Sequence, residues 1–242
     1  MPLTGKLTSW TGAMGRTRAW RLGLGLLAIL APAAPAGAEL AVSQLIVELK
    51  PGPSRAQDIE LFNDSPDRNY LTIEPREIVD PGTSRERPVV SPDPEKLGIL
   101  VSPRRLVLEP GQRRTMRIAR IGPEGPAERV YRVTVKPVVG GVEGETGLKL
   151  LVGYDLLVLV RPAIVRPALE ASRDGSRLAM TNRGNSSVEL IDGRQCDVAA
   201  RDCGALPGKR LYAGASWEQT LPRPGPGEYR VRSADGISSI KF

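Results

Sequence analysis

Apolar and polar residues alternate along much of this chain with a period of two, which is typical of β-strands. The longest such segment covers residues 147–162, and its Leu, Val and Tyr residues favour a strand over a helix. Lys149 and Asp155 interrupt it, so it is unsuited to crossing a bilayer. The pattern predicts one long strand, either the final core strand of a sandwich or a strand half buried in its own domain and half available to a partner. One face would carry Leu148, Leu150, Val152, Tyr154, Leu156 and Val158.

Shorter alternating segments come before this strand and are separated by Pro, Gly, Asn and Asp residues that favour turns. No segment shows sustained helical periodicity, and residues 80–94, rich in Pro, Ser and charge, predict an exposed connection. Short strands at this spacing indicate an all-β sandwich. The predicted strands cover residues 40–49, 56–62, 70–74, 97–101, 104–109, 113–121 and 129–139.

A second group of strands follows the long one. Two prolines, Pro162 and Pro167, predict a short and stiff linker between the groups. The sequence therefore predicts two β-domains, residues 39–162 and a smaller one at 163–242. The strands of the second domain are predicted at residues 178–181, 188–191, 216–221, 229–232 and 238–242.

The first 38 residues have the pattern of a secretory signal peptide rather than of a folded segment. Four basic residues precede a short apolar stretch at 22–31, and the small residues at 36–38 suit a cleavage site. We expect cleavage after Ala38 and export. The whole chain has 34 basic and 27 acidic residues. Removing the four basic residues of the signal leaves a net charge of +3, which is too small to indicate a nucleic-acid partner.

The two cysteines, Cys196 and Cys203, lie close together in the chain. In an exported protein such a pair is expected to oxidise. A disulfide closing this loop would stabilise the fold by about 2.5 kcal/mol in the chain-entropy picture. Two cysteines without any histidine make a poor zinc site, so we expect no metal.

The sequence argues against an enzyme. It contains no histidine, which excludes the common catalytic triads and acid–base chemistry by histidine. Its acidic residues are scattered over predicted strand faces and loops, so we expect no cofactor and no small-molecule substrate. Six arginines between 104 and 120 form either a solvated strand face or a stripe that binds a partner.

Several segments, taken in order, resemble the periplasmic pilus chaperones of the chaperone–usher pathway (the PapD-like family). They are residues 100–103, 108–112, 116–120 and 128–133, followed by the long strand that ends in Arg161-Pro162. The second domain adds residues 178–185, the cysteine pair and residues 206–209. These resemble the alternate branch of the family, which serves alpha fimbriae.

The resemblance implies two immunoglobulin-like β-sandwich domains arranged in an L, and a chaperone that lends a strand to an incomplete pilus subunit. An outer-membrane usher then receives the complex. The partners implied are therefore pilus subunits and the usher, in the periplasm, with no nucleic acid. The residues expected to enter the subunit are Leu148, Leu150, Val152 and Tyr154.

Two features of the main branch of the family do not match this sequence. Those chaperones use a pair of basic residues in the cleft to grip the C-terminal carboxylate of the subunit. The matching positions here are Val47 and Leu157, neither of which can hold a carboxylate. The subunit would then be anchored elsewhere, or held through strand donation and apolar contacts.

The resemblance also implies a salt bridge between the domains. Arg161 matches the arginine of that bridge, and Glu128 and Asp235 match its two carboxylates. The alternative for Arg161 is a simple charge at the end of a strand. Two other functions stay open, namely a secreted structural or adhesive module, such as a pilus subunit, and a carbohydrate-binding accessory domain. A subunit would be an incomplete single domain with a free N-terminal extension, and a carbohydrate-binding domain usually exposes aromatic residues, which are scarce here.

Overall fold

The computed structural model of the chain describes residues 40–138 and 151–242. Within these ranges nearly every regular element is a β-strand, as the sequence predicts, and the one α-helix, α1, is a single turn. The first ten strands form one sandwich. They are β1 Leu40–Val42, β2 Ile46–Leu49, β3 Ala56–Asn63, β4 Asn69–Val79, β5 Arg87–Val89, β6 Ile99–Ser102, β7 Arg105–Leu108, β8 Arg113–Arg120, β9 Arg129–Pro137 and β10 Tyr154–Val160, with α1 Pro94–Leu97 before β6.

Two sheets enclose the core of this first sandwich. Sheet A has the strand order β1-β3-β8-β6, and sheet B has the order β2-β10-β9-β4-β5, with β7 also paired to β4. Alternate residues of each strand face inward, because successive side chains of a strand point to opposite sides. Inward residues from both sheets pack into one apolar cluster, which includes Ile59, Ile73, Met116, Val133, Leu156 and Val158.

The first predicted strand, residues 40–49, is in fact two strands that belong to different sheets. Strand β1 pairs antiparallel with β3 in sheet A, whereas β2 pairs parallel with β10 in sheet B. The chain crosses between the sheets at Ser43, whose backbone N–H and side-chain hydroxyl both bond to Glu60. Alternation alone does not reveal such a crossing, because both strands turn apolar residues toward the same core.

The exposed connection predicted at residues 80–94 also contains a strand, β5, which pairs with the end of β4. Asp93 caps the single helical turn that follows, since its carboxylate accepts a hydrogen bond from the backbone N–H of Glu95. Gly98 ends that turn with a φ of 89°, which glycine adopts without strain. The helix is too short to leave a periodic signal in the sequence.

The remaining strands form a second sandwich with a core of its own. Sheet C has the order β11-β12-β16, and sheet D has the order β14-β13-β17-β18, with β15 paired to β13. Its core is built around Tyr229, Leu178, Met180 and Leu190. The strands are β11 Leu169–Asp174, β12 Arg177–Asn182, β13 Val188–Cys196, β14 Cys203–Leu206, β15 Lys209–Leu211, β16 Ser216–Thr220, β17 Gly227–Ser233 and β18 Gly236–Lys241.

Candidate functional site

The long strand predicted at 147–162 is seen as a regular strand, β10, from Tyr154 to Val160. Leu156, Val158 and Val160 point into the core of the first sandwich, and Leu157 and Leu159 point outward. The outward pair is also buried, because it packs with Val130, Ile78 and Tyr212, a residue of the second sandwich. Both faces of β10 are therefore covered along this half, which explains its nearly continuous apolar sequence.

The four residues predicted to enter a partner are not alike. Leu148 and Leu150 lie outside the described residues, and Val152 is 47 % exposed just ahead of β10. Tyr154 needs a correction, since its ring packs against the core of its own sandwich. Its hydroxyl donates a 2.6 Å hydrogen bond to the backbone oxygen of Leu40. Tyr154 therefore anchors the strand in its own domain.

One edge of β10 is only partly covered. Strand β9 pairs with β10 from Tyr154 to Val160, whereas β2 pairs only from Leu157 onward. The last backbone bond on the β2 side joins the N–H of Leu157 to the oxygen of Leu45. By alternation the backbone of Asp155 faces the same edge, and no strand of the described residues pairs with it there. A free strand edge of this kind can accept a strand from another chain.

The two positions matched to the family's basic pair do not face the same way. Val47 points into the core and is 1 % exposed, so its prediction as a cleft residue was wrong. The reason is the alternation within β2, which turns Ile46 and Glu48 outward instead. Leu157 does face outward, but Tyr212 and Val130 pack around it.

Arg161, directly after β10, lies at the centre of a buried polar cluster. One of its guanidinium nitrogens pairs with Glu128, and the other pairs with Glu48. Ser186 and Ser187, from the second sandwich, donate hydrogen bonds to Glu128 at 2.8 and 3.2 Å. They also accept hydrogen bonds from Arg161 at 2.9 and 3.2 Å. The cluster thus ties the end of β10 to the start of β13.

Asp235 is not part of that cluster, so the prediction that it is the third member was wrong. Its carboxylate accepts a hydrogen bond from Ser233 within the turn between β17 and β18. Glu48 takes the expected place because β2 runs parallel to β10, with Glu48 opposite Leu159 and therefore close to Arg161. A lone acidic residue between Val47 and Leu49 in an apolar strand was the signal that could have identified it.

The outward face of sheet B between β4 and β10 carries an ordered polar network. Arg76 donates to both carboxylate oxygens of Asp155, at 3.1 and 3.0 Å, and to the hydroxyl of Thr134 at 2.6 Å. That hydroxyl donates to Asp155 at 2.8 Å. Arg132 lies opposite Leu157 in β9 and approaches Asp155 to only 3.9 Å. Burial raises the pKa of the nearby Tyr212, which keeps its phenol neutral at physiological pH.

The arginines of β8 are mostly compensated by the neighbouring strand. Arg117 forms a bidentate pair with Asp58 of β3, at 2.7 and 2.6 Å, and Arg113 pairs with Glu60. Their side chains are 64 % and 59 % exposed. This arrangement favours the solvated strand face over the partner-binding stripe, because each of these two charges already has a partner of opposite sign.

Neither a metal centre nor a membrane span is present in the part of the chain that the structure describes. No three potential ligands among its His, Cys, Asp and Glu residues come close enough to hold a metal ion. No helix in it is long and apolar enough to cross a membrane.

Comparison with known proteins decides what kind of fold this is. No protein-family model matches the chain. A curated relative from Escherichia coli, which carries the name of a CS1 fimbrial protein, is 26 % identical over 202 residues, which cover 78 % of this chain and 83 % of the relative. Among solved structures, the class 5 fimbriae chaperone CfaA superposes with a TM-score of 0.61 at 20 % identity, covering 84 % of this chain and 98 % of CfaA. The chain has the fold of the fimbrial chaperones.

A second solved structure with this chaperone fold contains a chaperone and a tip adhesin, from CFA/I fimbriae biogenesis. Its matching chain has a TM-score of 0.59 and 19 % identity, and the match covers 84 % of this chain and 98 % of that one. Both structural matches span the two sandwiches, since each covers nearly the whole solved chain. The expected all-β fold with two immunoglobulin-like sandwiches is thus confirmed.

The predicted disulfide is present in this chaperone fold as well. Cys196 at the end of β13 is bonded to Cys203 at the start of β14, directly opposite it in the strand register. The described residues contain no free cysteine. The bridge closes the β13–β14 hairpin at the loop end of sheet D, where the apolar core no longer reaches.

Proposed function

We propose that this protein is a periplasmic chaperone of fimbrial assembly, which lends a strand to a pilus subunit and delivers the complex to an outer-membrane usher. The observation that carries the proposal is the free edge of β10 beside Asp155, adjoining a segment with exposed Val152. A strand that is paired on one side only, and continues into apolar residues, is suited to complete a partner's sheet. We expect no covalent chemistry.

The lent segment is the part of the chain before Tyr154. Leu148, Leu150 and Val152 would point into the subunit from alternate positions, because successive side chains of a strand face opposite sides. Burying three such side chains contributes about 5–9 kcal/mol before the entropy costs of association. Tyr154 would stay in the chaperone and hold the base of the lent segment against Leu40.

The rival function is that of a pilus subunit, which the name of the curated relative would suit. A subunit would be an incomplete domain with an N-terminal segment free to be donated. Here β1 and β2 are both paired within the first sandwich, and a second sandwich follows. These pairings support the chaperone.

The test asks whether the mature chain captures a subunit in the periplasm. Changing Leu150→Asp together with Val152→Asp should abolish co-purification of the subunit encoded beside the chaperone, because two carboxylates cannot enter an apolar groove unpaired. The fold should survive, since Val152 is exposed. Val198→Asp with Ile237→Asp is a matched control, because both residues are exposed and apolar but lie in the second sandwich. Normal capture by the first double variant would exclude strand donation.

A further inference from the structure

The inference concerns Arg132, an arginine on the outward face of sheet B. Arg76 and Arg132 are directly opposite each other in β4 and β9. Both face one carboxylate, that of Asp155, and Arg76 and Thr134 already engage it with hydrogen bonds. Two guanidinium groups therefore share a single negative charge, and the site has a net charge of +1.

Arg132 is left under-compensated in this arrangement. Its Nε lies 3.9 Å from Asp155, and it donates no hydrogen bond to any group in residues 40–138 or 151–242. Its side chain is 35 % exposed, so the guanidinium is accessible from solvent. Since a guanidinium presents five N–H donors in a planar fork that matches a carboxylate, the free donors of Arg132 suit an incoming carboxylate.

The floor beside Arg132 is apolar. Leu157 is its neighbour across the β9–β10 pairing, and Tyr212 lies close enough for the charge of Arg132 to act on its phenol. On the other side of Leu157 is Ile46, which is 46 % exposed. An apolar side chain next to a carboxylate would therefore find contacts here, and the low local polarity would strengthen the ion pair.

The free edge of β10 leads to this point and ends there. A strand added beside Asp155 has to stop where β2 begins, because Leu45 and Ile46 occupy the edge from Leu157 onward. The charge of the site then selects the direction of that strand. A strand parallel to β10 would bring its C-terminal end toward Arg132, whereas an antiparallel strand would bring an N-terminal end toward two positive charges.

We propose that Arg132, supported by Arg76, binds a carboxylate of the subunit strand that pairs with the free edge of β10. The inference rests on the proposed function, since it needs a strand at that edge. Leu157 and Ile46 would contact the apolar residue next to the carboxylate. Arg132 would thereby fix the direction and the register of the bound strand, a role that the apolar donor residues alone cannot fill.

A first experiment needs the chaperone alone. N-acetyl-L-leucine, a carboxylate with an apolar side chain, is titrated into the mature protein, and the Nε–Hε signal of Arg132 is followed by NMR. The signal should shift with N-acetyl-L-leucine and not with its carboxamide. Arg132→Gln should remove the response of neighbouring signals. Arg114→Gln is the matched control, since Arg114 is an exposed arginine on β8 whose loss changes the net charge equally. Equal responses to acid and amide would overturn the proposal.

A second experiment measures subunit capture and separates this inference from the proposed function. Arg132→Gln should lower the amount of co-purified subunit about tenfold, because hydrogen bonds to charged groups are among the stronger ones. Arg114→Gln should leave it unchanged. If Arg132→Gln captures normally while Leu150→Asp with Val152→Asp does not, strand donation stands and the carboxylate site is excluded.

The subunit itself distinguishes two sources of the carboxylate. Extending its C-terminus by two serines should weaken capture by the wild-type chaperone, and not by Arg132→Gln, if the terminal carboxylate is bound. Replacing the acidic side chains of its last strand by amides should have that selective effect if a side chain is bound. Either selective effect supports the proposal, and the absence of both overturns it.

Discussion

Arg161 and Glu128 form an ion pair in which both side chains are almost completely buried, at 4 % and 1 % exposure. The pair joins the end of β10 to Ser186 and Ser187 at the start of β13. It is incompletely satisfied, since Glu128 Oε1 and Arg161 Nε are buried without a partner. A buried pair of this kind is costly to break from one side and can be replaced as a whole with less loss.

Replacing only one member should therefore destabilise the protein strongly. We expect Arg161→Met to lower the free energy of unfolding by about 3–5 kcal/mol, because Glu128 keeps its buried charge without the cation. Arg161→Met combined with Glu128→Met should recover more than half of that loss. Urea unfolding of the mature chain, followed by circular dichroism, measures both.

Arg117→Met is the control for that prediction, since Arg117 also pairs with a carboxylate but at an exposed position. It should have no measurable effect, because exposed pairs are screened by solvent. Should Arg161→Met prove as mild as Arg117→Met, the cluster would not fix the position of the two sandwiches.

Sequence patterns predicted the strands better than their partners. The alternation at 148–158 placed Leu156 and Val158 correctly in the core. It could not show that Tyr154 stays there too, because one apolar face serves the chain's own core and a partner equally well. Likewise, counting along the chain suggested Asp235 for the Arg161 cluster, whereas the parallel register of β2 brings in Glu48. Pairing between strands far apart in sequence leaves no local pattern.

The hydroxyl of Tyr154 offers a test of where the lent segment begins. Tyr154→Phe removes its hydrogen bond to Leu40 and should lower the free energy of unfolding by about 1 kcal/mol. Capture of the subunit should be unaffected, because the ring remains in the chaperone core. Urea unfolding and co-purification measure the two effects. A loss of capture with unchanged stability would mean that Tyr154 contacts the subunit instead.

The disulfide should matter for the second sandwich alone. Cys196→Ser should lower its free energy of unfolding by about 2.5 kcal/mol, the entropy cost of opening a short loop. Trp217 is a convenient probe, because it packs against the core of that sandwich, and Trp10 and Trp20 lie in the predicted signal peptide. Its fluorescence should report a lower melting temperature.

Reduction of the wild-type protein provides a control without any substitution. A reducing agent should shift the Trp217 transition to the same midpoint as Cys196→Ser and should leave Cys196→Ser itself unchanged. An unaltered midpoint in the variant would show that the bridge contributes nothing to stability.

Gly193 lies against the largest buried side chain of the second core, that of Tyr229. A Cβ at position 193 would meet the ring well inside van der Waals contact. The ring has little freedom to move, because its hydroxyl donates to the oxygen of Pro207 at 3.0 Å and accepts from Gln219 at 2.7 Å. Gly193→Ala should therefore lower the free energy of unfolding by about 1–3 kcal/mol, as overpacking of a core does.

A double-mutant cycle identifies the ring as the cause. Tyr229→Leu is itself destabilising, because Tyr229 is fully buried, but it vacates the space that the new methyl group needs. Adding Gly193→Ala to Tyr229→Leu should then cost much less than adding it to the wild-type chain, as measured by urea unfolding with Trp217 fluorescence. Equal costs in the two backgrounds would place the effect in the irregular backbone between Ile191 and Arg194 rather than in the contact with Tyr229.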